Sequence, residues 1–403
     1  GNWRIRHLFR RGQGKRVATA LQAETSFANS INSDAQVTAP QAGSVPSPPL
    51  EVRDGKFWRN GAPYTLAGIN YYPQKTPWTR FWSEYDSNQT ASDFVLATEL
   101  GLNMVRIFVP FDDFGGGEPD PQQLARLVDL LDRAQEADLL VLVTLFDHRT
   151  DHHPSNWAAD DRHVAVLVPL LANHPALLGW DIKNEPDRDY DLNTQGLVDG
   201  WLRHVAAEIR HHDRTHPITI GWSTIRAAAE LADVVDYVSY HFYGGSADYS
   251  RQIGELRERS MDKPIVLQEF GMTTWNTFFP GGHTEAEQAQ LYAELLAHNR
   301  ELDVAGHIAW TLFDFTDIPL REFIKPSERG VQAHFGLIRE DGSRKPAAAL
   351  IGEGAPLTAQ PVGLVDQLSK PFNLTLVLGC LVPIGGLLFL LYFARWRQKK
   401  RAR

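Results

Sequence analysis

Between Glu51 and Gly352, short runs of almost continuous apolar residues alternate with stretches whose apolar positions recur every three or four residues. Eight runs read as strands: Tyr64 to Tyr72, Asn103 to Pro110, Leu139 to Asp147, Leu177 to Pro186, Ile218 to Ser223, Asp236 to Tyr243, Pro264 to Gly271 and Gly306 to Phe315. Their centres (VLVTLF, YVSYHFY, IVLQEFG, HIAWTLF) leave no polar face, as in strands of a parallel sheet covered on both sides. Segments such as PQQLARLVDLLDRAQEA and AEQAQLYAELLAHNR carry the helical period. Ahead of the first run, EVRDGKFWRNGAPYTL places Asp-Gly and Asn-Gly between β-prone pieces and predicts a small N-terminal hairpin. Eight strand-then-helix units over these 302 residues predict a (β/α)8 TIM barrel of the α/β class. A doubly wound open sheet needs a glycine-rich phosphate turn after its first strand, and GINYYPQKTPW offers none.

The two ends follow other patterns. Residues 372–393 (FNLTLVLGCLVPIGGLLFLLYF) form 22 uncharged positions, long enough for a transmembrane helix at 1.5 Å per residue. RWRQKKRAR follows at once, so residues 394–403 are expected to be a basic cytoplasmic tail, the body lying outside the cell and tied to the bilayer through 372–393. Residues 353–371 are the expected linker. Residues 1–50, basic and then rich in Ala, Ser and Pro, predict an unstructured leader, and with a start at Gly1 without methionine some upstream sequence is expected to have been removed or omitted.

Charge sharpens the picture. Six Lys/Arg lie in residues 1–16 and six more in 395–403, so the chain between them holds only 28 Lys/Arg against 49 Asp/Glu. An acidic body of this kind excludes a nucleic-acid groove. The lone Cys380 excludes an intrachain disulfide framework and a thiolate zinc site.

In a barrel the chemistry belongs at the C-terminal ends of the strands. Two glutamates sit there: Glu185 in WDIKNEPD, ending the fourth run, and Glu269 in IVLQEFGM, ending the seventh. Half-buried carboxylates are costly unless paired or used, and two in different surroundings are what acid/base division requires. His148, Asp151, His152 and His153 cluster in one turn, which reads as a polar loop bordering the cleft rather than a metal site.

These segments resemble the retaining (β/α)8 glycoside hydrolases of clan A, and most closely glycoside hydrolase family 5, the cellulase and mannanase family. The likeness runs from FWRNGAPYTLAGINYY to GLIREDGSRKPAAAL and rests on the Asn-Glu-Pro triplet combined with QEFG. It implies that Glu185 is the acid/base and Glu269 the nucleophile. It further implies that Arg106, in NMVRIF, hydrogen-bonds the nucleophile and that Asn184 grips the sugar 2-hydroxyl. His241 and Tyr243, in YHFY, match a His-x-Tyr pair whose tyrosine touches the nucleophile. Trp310, in AWTLFDF, matches the aromatic floor of the sugar subsite, and His148 the third-strand histidine. Trp275, just past the nucleophile strand, is expected to stack on sugar; Trp78, Trp82, Trp157 and Trp222 lie near other strand ends.

Retention of configuration needs two carboxyl groups about 5–5.5 Å apart, one protonated and one ionised. Arg106 is expected to keep Glu269 charged. Glu185, with no charged partner in its motif, is expected to keep its proton near neutral pH. The sequence thus predicts a membrane-anchored retaining β-glycoside hydrolase acting on a β-linked glucan or mannan, with no cofactor and no metal. A transglycosylase on the same intermediate and a non-catalytic polysaccharide-binding or synthase-associated scaffold are the alternatives. Loop shapes, which decide between these and between endo and exo action, are not written in the pattern.

Overall fold

The structure, a computed structural model, describes residues 50–276 and 282–371, together with 373 and 379. The leader before residue 50, almost all of the predicted membrane span and the basic tail therefore lie outside the described residues. Among the described residues no helix is long and apolar enough to cross a membrane.

The expected hairpin is a three-stranded antiparallel sheet of β1 (Glu51–Arg53), β2 (Lys56–Arg59) and β3 (Ala62–Tyr64). Both of its connections are two-residue turns with positive φ throughout, Asp54–Gly55 (52° and 69°) and Asn60–Gly61 (52° and 79°). That is the twist Asp-Gly and Asn-Gly favour, and the second turn adds the third strand.

Eight parallel strands then close a barrel: β4 (Leu66–Asn70), β5 (Met104–Pro110), β6 (Leu140–Asp147), β7 (Leu177–Asn184), β8 (Ile218–Trp222), β9 (Val238–Phe242), β10 (Ile265–Phe270) and β11 (Gly306–Ala309). Neighbours in sequence are neighbours in the barrel, and β11 pairs with β4 to shut it. Outside lie α1 (Thr79–Ser83), α2 (Ser87–Glu99), α3 (Pro121–Glu136), α4 (Trp157–Leu171), α5 (Gln195–His212), α6 (Tyr249–Arg259), α7 (Glu285–Glu301), α8 (Pro326–Ala333) and α9 (Leu364–Ser369). Local chemistry sets several starts. Asp86 and Asp120 accept the first free N–H groups of α2 and α3, and a Thr284–Glu287 capping box opens α7.

Two expectations need correction. The fifth unit has no α-helix: one 3-10 turn, Ala227–Ala229, leads from β8 toward β9. The last strand stops at Ala309 although its apolar run continues to Phe315. Trp310 still donates to Phe270, but Asp314 and Phe315 bond to Ile338 and Ala333, turning the chain across the top of the barrel.

The barrel interior is graded. At its N-terminal end Phe57 of the small sheet joins Leu66, Met104, Leu140, Leu178 and Ile308 in an apolar plug. Towards the other end Asn70, Arg106, Thr144, Asp181 and Gln268 are all fully buried, so the floor beneath the cleft is polar and closed to solvent. The larger apolar core fills the space between strands and helices.

Candidate active site

Arg106 is the hub on which the site is built. Rising inside the barrel from β5 and wholly buried, its guanidinium donates to Thr144 Oγ1 (3.0 Å) on β6, Asp181 Oδ2 (2.7 Å) and Asn184 Oδ1 (2.9 Å) on β7, Asn70 Oδ1 (2.9 Å) on β4 and Glu269 Oε2 (3.2 Å) on β10. An arginine is favoured here because its planar fork serves several acceptors at once. Asp181 balances it, accepting also from Thr144, Gln268 and the Gly221 N–H. Gly221 is required by space, since a Cβ there would lie 2.6 Å from Gln268 Nε2 and 2.9 Å from Arg106 Nη2.

Glu269 has both oxygens occupied. Tyr243 Oη donates to Oε1 at 2.6 Å and Arg106 to Oε2. Glu185 follows β7 in a left-handed conformation (φ 49°, ψ 52°), its N–H tied to the Gly221 carbonyl at 2.7 Å. That backbone is costly for any residue with a Cβ, and it is held by the Asn-Glu-Pro turn around it. His241 Nδ1 stands between the carboxylates, 3.0 Å from Glu185 Oε1 and 3.7 Å from Glu269 Oε2. One atom from each of Glu185, His241 and Glu269 falls within 4.8 Å of the others.

The expectation that Glu185 lacks a charged partner is overturned. Arg188, one turn on, places Nε 2.7 Å from Glu185 Oε2. Burial pushes the Glu185 carboxyl up, but the hydrogen bond and charge of His241 and the charges of Arg188 and Arg106 outweigh it and hold the group below the usual glutamate value. The partner escaped sequence inspection because the pairing exists only once the left-handed turn brings positions 185 and 188 onto one side.

Above the carboxylates opens a cleft of about 440 Å³, within the range of ligand sites. Asn184, Glu185, Glu269, Tyr243, Trp310 and His148 all border it, as predicted. Trp310 and Trp78 form one wall, with ring centroids 6.0 Å apart. His148, at the end of β6, has Nε2 3.2 Å from Asp147, whose charge raises it to about 9. Trp275 does not border the cleft. Thr273 and Thr274 bond to Val331 and His334, which turns the strand exit toward α8 and lays the Trp275 ring against Gly330. Trp82 and Trp222 are buried, and Trp157 stacks on His204. Of the histidine-rich turn, His152 points inward to Asp189 at 2.8 Å while His153 caps the turn at Ser155. Tyr72, Phe108, Phe323, Gln332 and Phe335 complete the cleft and carried no recognisable signal in the sequence.

Residues 59–316 match the model of the cellulase family, glycosyl hydrolase family 5. The chain belongs to this family. Curated relatives of the family 5 chain include a β-glucuronidase of Chlorocebus aethiops, 30% identical over 290 residues, covering 66% of this chain and 41% of the relative. A β-galactosidase of Thermoanaerobacter pseudethanolicus is 29% identical, covering 66% and 32%. The match thus spans well under half the length of these relatives. Among solved structures, an exo-beta-1,4-mannosidase from Opitutaceae bacterium strain TAV5 superposes with a TM-score of 0.63 at 23% identity, covering 75% of this chain and 61% of the other. A Streptomyces cattleya GH5_18 protein in complex with Manβ1-4GlcNAc gives 0.59 at 19%, covering 77% and 87%. At such identities the likeness speaks for the fold.

Proposed function

We propose that this family 5 domain is a retaining β-glycosidase in which Glu269 is the nucleophile and Glu185 the acid/base. The observation that carries this is the close approach of the two carboxylates, within 4.8 Å at their nearest atoms, which suits direct attack and leaves no room for the intervening water of an inverting enzyme. In the first step a Glu269 oxygen bonds to the sugar C1 as the C1–O bond to the leaving group breaks, and Glu185 gives that oxygen its proton. In the second, Glu185 takes a proton from water, the water oxygen bonds to C1, and the ester to Glu269 breaks. Tyr243 and Arg106 fix the direction of attack, and Trp310 and Trp78 offer flat apolar faces to the sugar ring. Asn184, with its oxygen committed to Arg106, keeps its NH2 end for a substrate hydroxyl.

The substrate class is a β-linked glucan or mannan, and transfer to a sugar in place of water uses the same intermediate. Residues 372–393 are proposed to anchor the enzyme in the cell membrane with the barrel outside and the basic tail within. The test is the full chain in detergent, incubated with β-glucans, β-mannans and aryl β-glucosides, mannosides and glucuronides, beside its Glu269→Gln form. Product from the parent alone supports the proposal. Sugar binding without product from either form would favour the scaffold.

The Arg188–Glu185 pair makes a separate prediction. Glu185 serves as the acid only while protonated, so the rate of the first step falls as pH rises through its pKa. Arg188→Gln removes one cause of the lowering and should move the alkaline limb of kcat/KM to higher pH. Because Arg188 is 67% exposed the shift is modest. An unmoved or lowered limb would mean that Arg188 does not act on Glu185 in solution.

A further inference from the structure

The segment past the barrel is bound along its side rather than hanging free. The Ala355 carbonyl accepts from Arg300 (2.6 Å), near the C-terminal end of α7. Leu357 then shares a small cavity with Leu296 and Asn299, and Ala359 and Gln360 lie beside Ala286 and Ala289, three turns nearer the helix start. Finally α9 brings Gln367 Nε2 and Lys370 Nζ onto Glu287, at 2.9 and 2.8 Å. The chain thus climbs the full length of α7.

The top of that climb is the catalytic end of the barrel. The start of α7 follows from β10, whose end carries Glu269, and Gln288, next to Glu287, donates to the carbonyls of Met272 and Phe335. Phe335 is itself a wall of the cleft. The uncharged run 372–393 begins two residues after Lys370, so little chain is left between this fastening and the proposed membrane span.

A second feature lies at the same end. The loop after β11 contains LREFIK, in which Leu320 and Ile324 are 68% and 71% exposed while Phe323 between them turns in against Trp78. Arg321 and Lys325 alternate with the two aliphatics and are exposed as well. Exposed aliphatics flanked by cations suit the boundary between acyl chains and phosphate headgroups.

We propose that the mouth of the barrel faces the lipid bilayer. Lys370 and Gln367 fasten the chain to Glu287 at the catalytic end, two residues before the proposed span begins, Leu320 and Ile324 rest in the headgroup layer, and Arg321 and Lys325 meet lipid phosphates. A substrate reaching Glu269 is then a glycan tethered to lipid in the same bilayer. This rests on the membrane-span part of the proposed function.

The test uses the full chain with Cys380→Ser, carrying either Ile324→Cys or Met261→Cys and labelled with an environment-sensitive fluorophore. Met261 is a matched control, 61% exposed but in the loop entering β10, at the opposite end of the barrel. Each form is incorporated into phosphatidylethanolamine–phosphatidylglycerol vesicles with or without headgroup spin-labelled lipid. The expected result is flotation with the vesicles and quenching several-fold stronger at position 324 than at 261. Equal quenching in floated protein overturns the orientation and leaves the anchor standing, whereas failure to float overturns both. Hydrolysis of a soluble aryl glycoside by the same proteins reports separately on the glycosidase itself.

Discussion

Glu269→Ala should lower kcat by about 10⁴-fold or more, the scale of losing a nucleophile in covalent catalysis, and added azide should restore turnover by attacking C1 in the vacated space. The product of rescue is a glycosyl azide of inverted configuration, because only one displacement then occurs. Glu185→Ala should behave differently. Substrates with poor leaving groups lose about 10²–10⁴-fold, the worth of a general acid, while activated aryl glycosides lose little in the first step. Azide then accelerates the second step and gives a product of retained configuration. Measuring both variants on an aryl and an alkyl glycoside separates the roles. If azide rescues neither, and Glu185→Ala keeps full activity on the alkyl glycoside, the two-carboxylate assignment fails.

The second large effect concerns stability. Asp181 is fully buried and takes hydrogen bonds from Arg106, Thr144, Gln268 and Gly221. Asp181→Ala leaves the Arg106 guanidinium in a dry interior with Glu269 as its remaining close carboxylate partner. Breaking a buried pair from one side costs about 3–5 kcal/mol, because the abandoned charge has lost its compensation. Thermal unfolding followed by circular dichroism should show a midpoint lower by on the order of 10 °C. Asp181→Asn, which keeps the shape and some of the hydrogen bonds, should fall between. A change of less than about 2 °C for the alanine form would show that water enters and solvates Arg106, against its burial here.

The strands and the two cleft glutamates were legible in the sequence for one physical reason. Strands buried on both faces must be apolar throughout, so a glutamate where such a run ends is conspicuous. Glu185 and Glu269 stood out this way, whereas Arg106, His241 and Tyr243 came from the family resemblance alone. Asn70, Thr144, Asp181 and Gln268 escaped notice because a polar residue inside a strand gives no sign of which strand supplies its partner. Trp275 misled for the opposite reason. It does follow β10, but two threonine hydrogen bonds to the α8 region steer the ring away from the cleft. The absent helix after β8 falls in an alanine-rich stretch where propensity favours a helix, yet only the 3-10 turn Ala227–Ala229 forms there. Arg188 is the most consequential omission, since it changes the resting charge state around Glu185.

The wiring of Arg106 also bears on how the molecule comes into being. Its hydrogen bonds join residues 36, 38, 75 and 163 positions away, on four other strands. Contacts so distant along the chain are slow to form, because long loops must close before any of them is rewarded. The strand that carries Glu269, β10, comes late in the sequence and is the last of these partners to leave the ribosome. A nascent chain that has not yet emerged past β10 therefore holds Arg106 with Asn70, Thr144, Asp181 and Asn184 but without Glu269, so under the proposed assignment an incomplete barrel lacks its nucleophile until that strand is made.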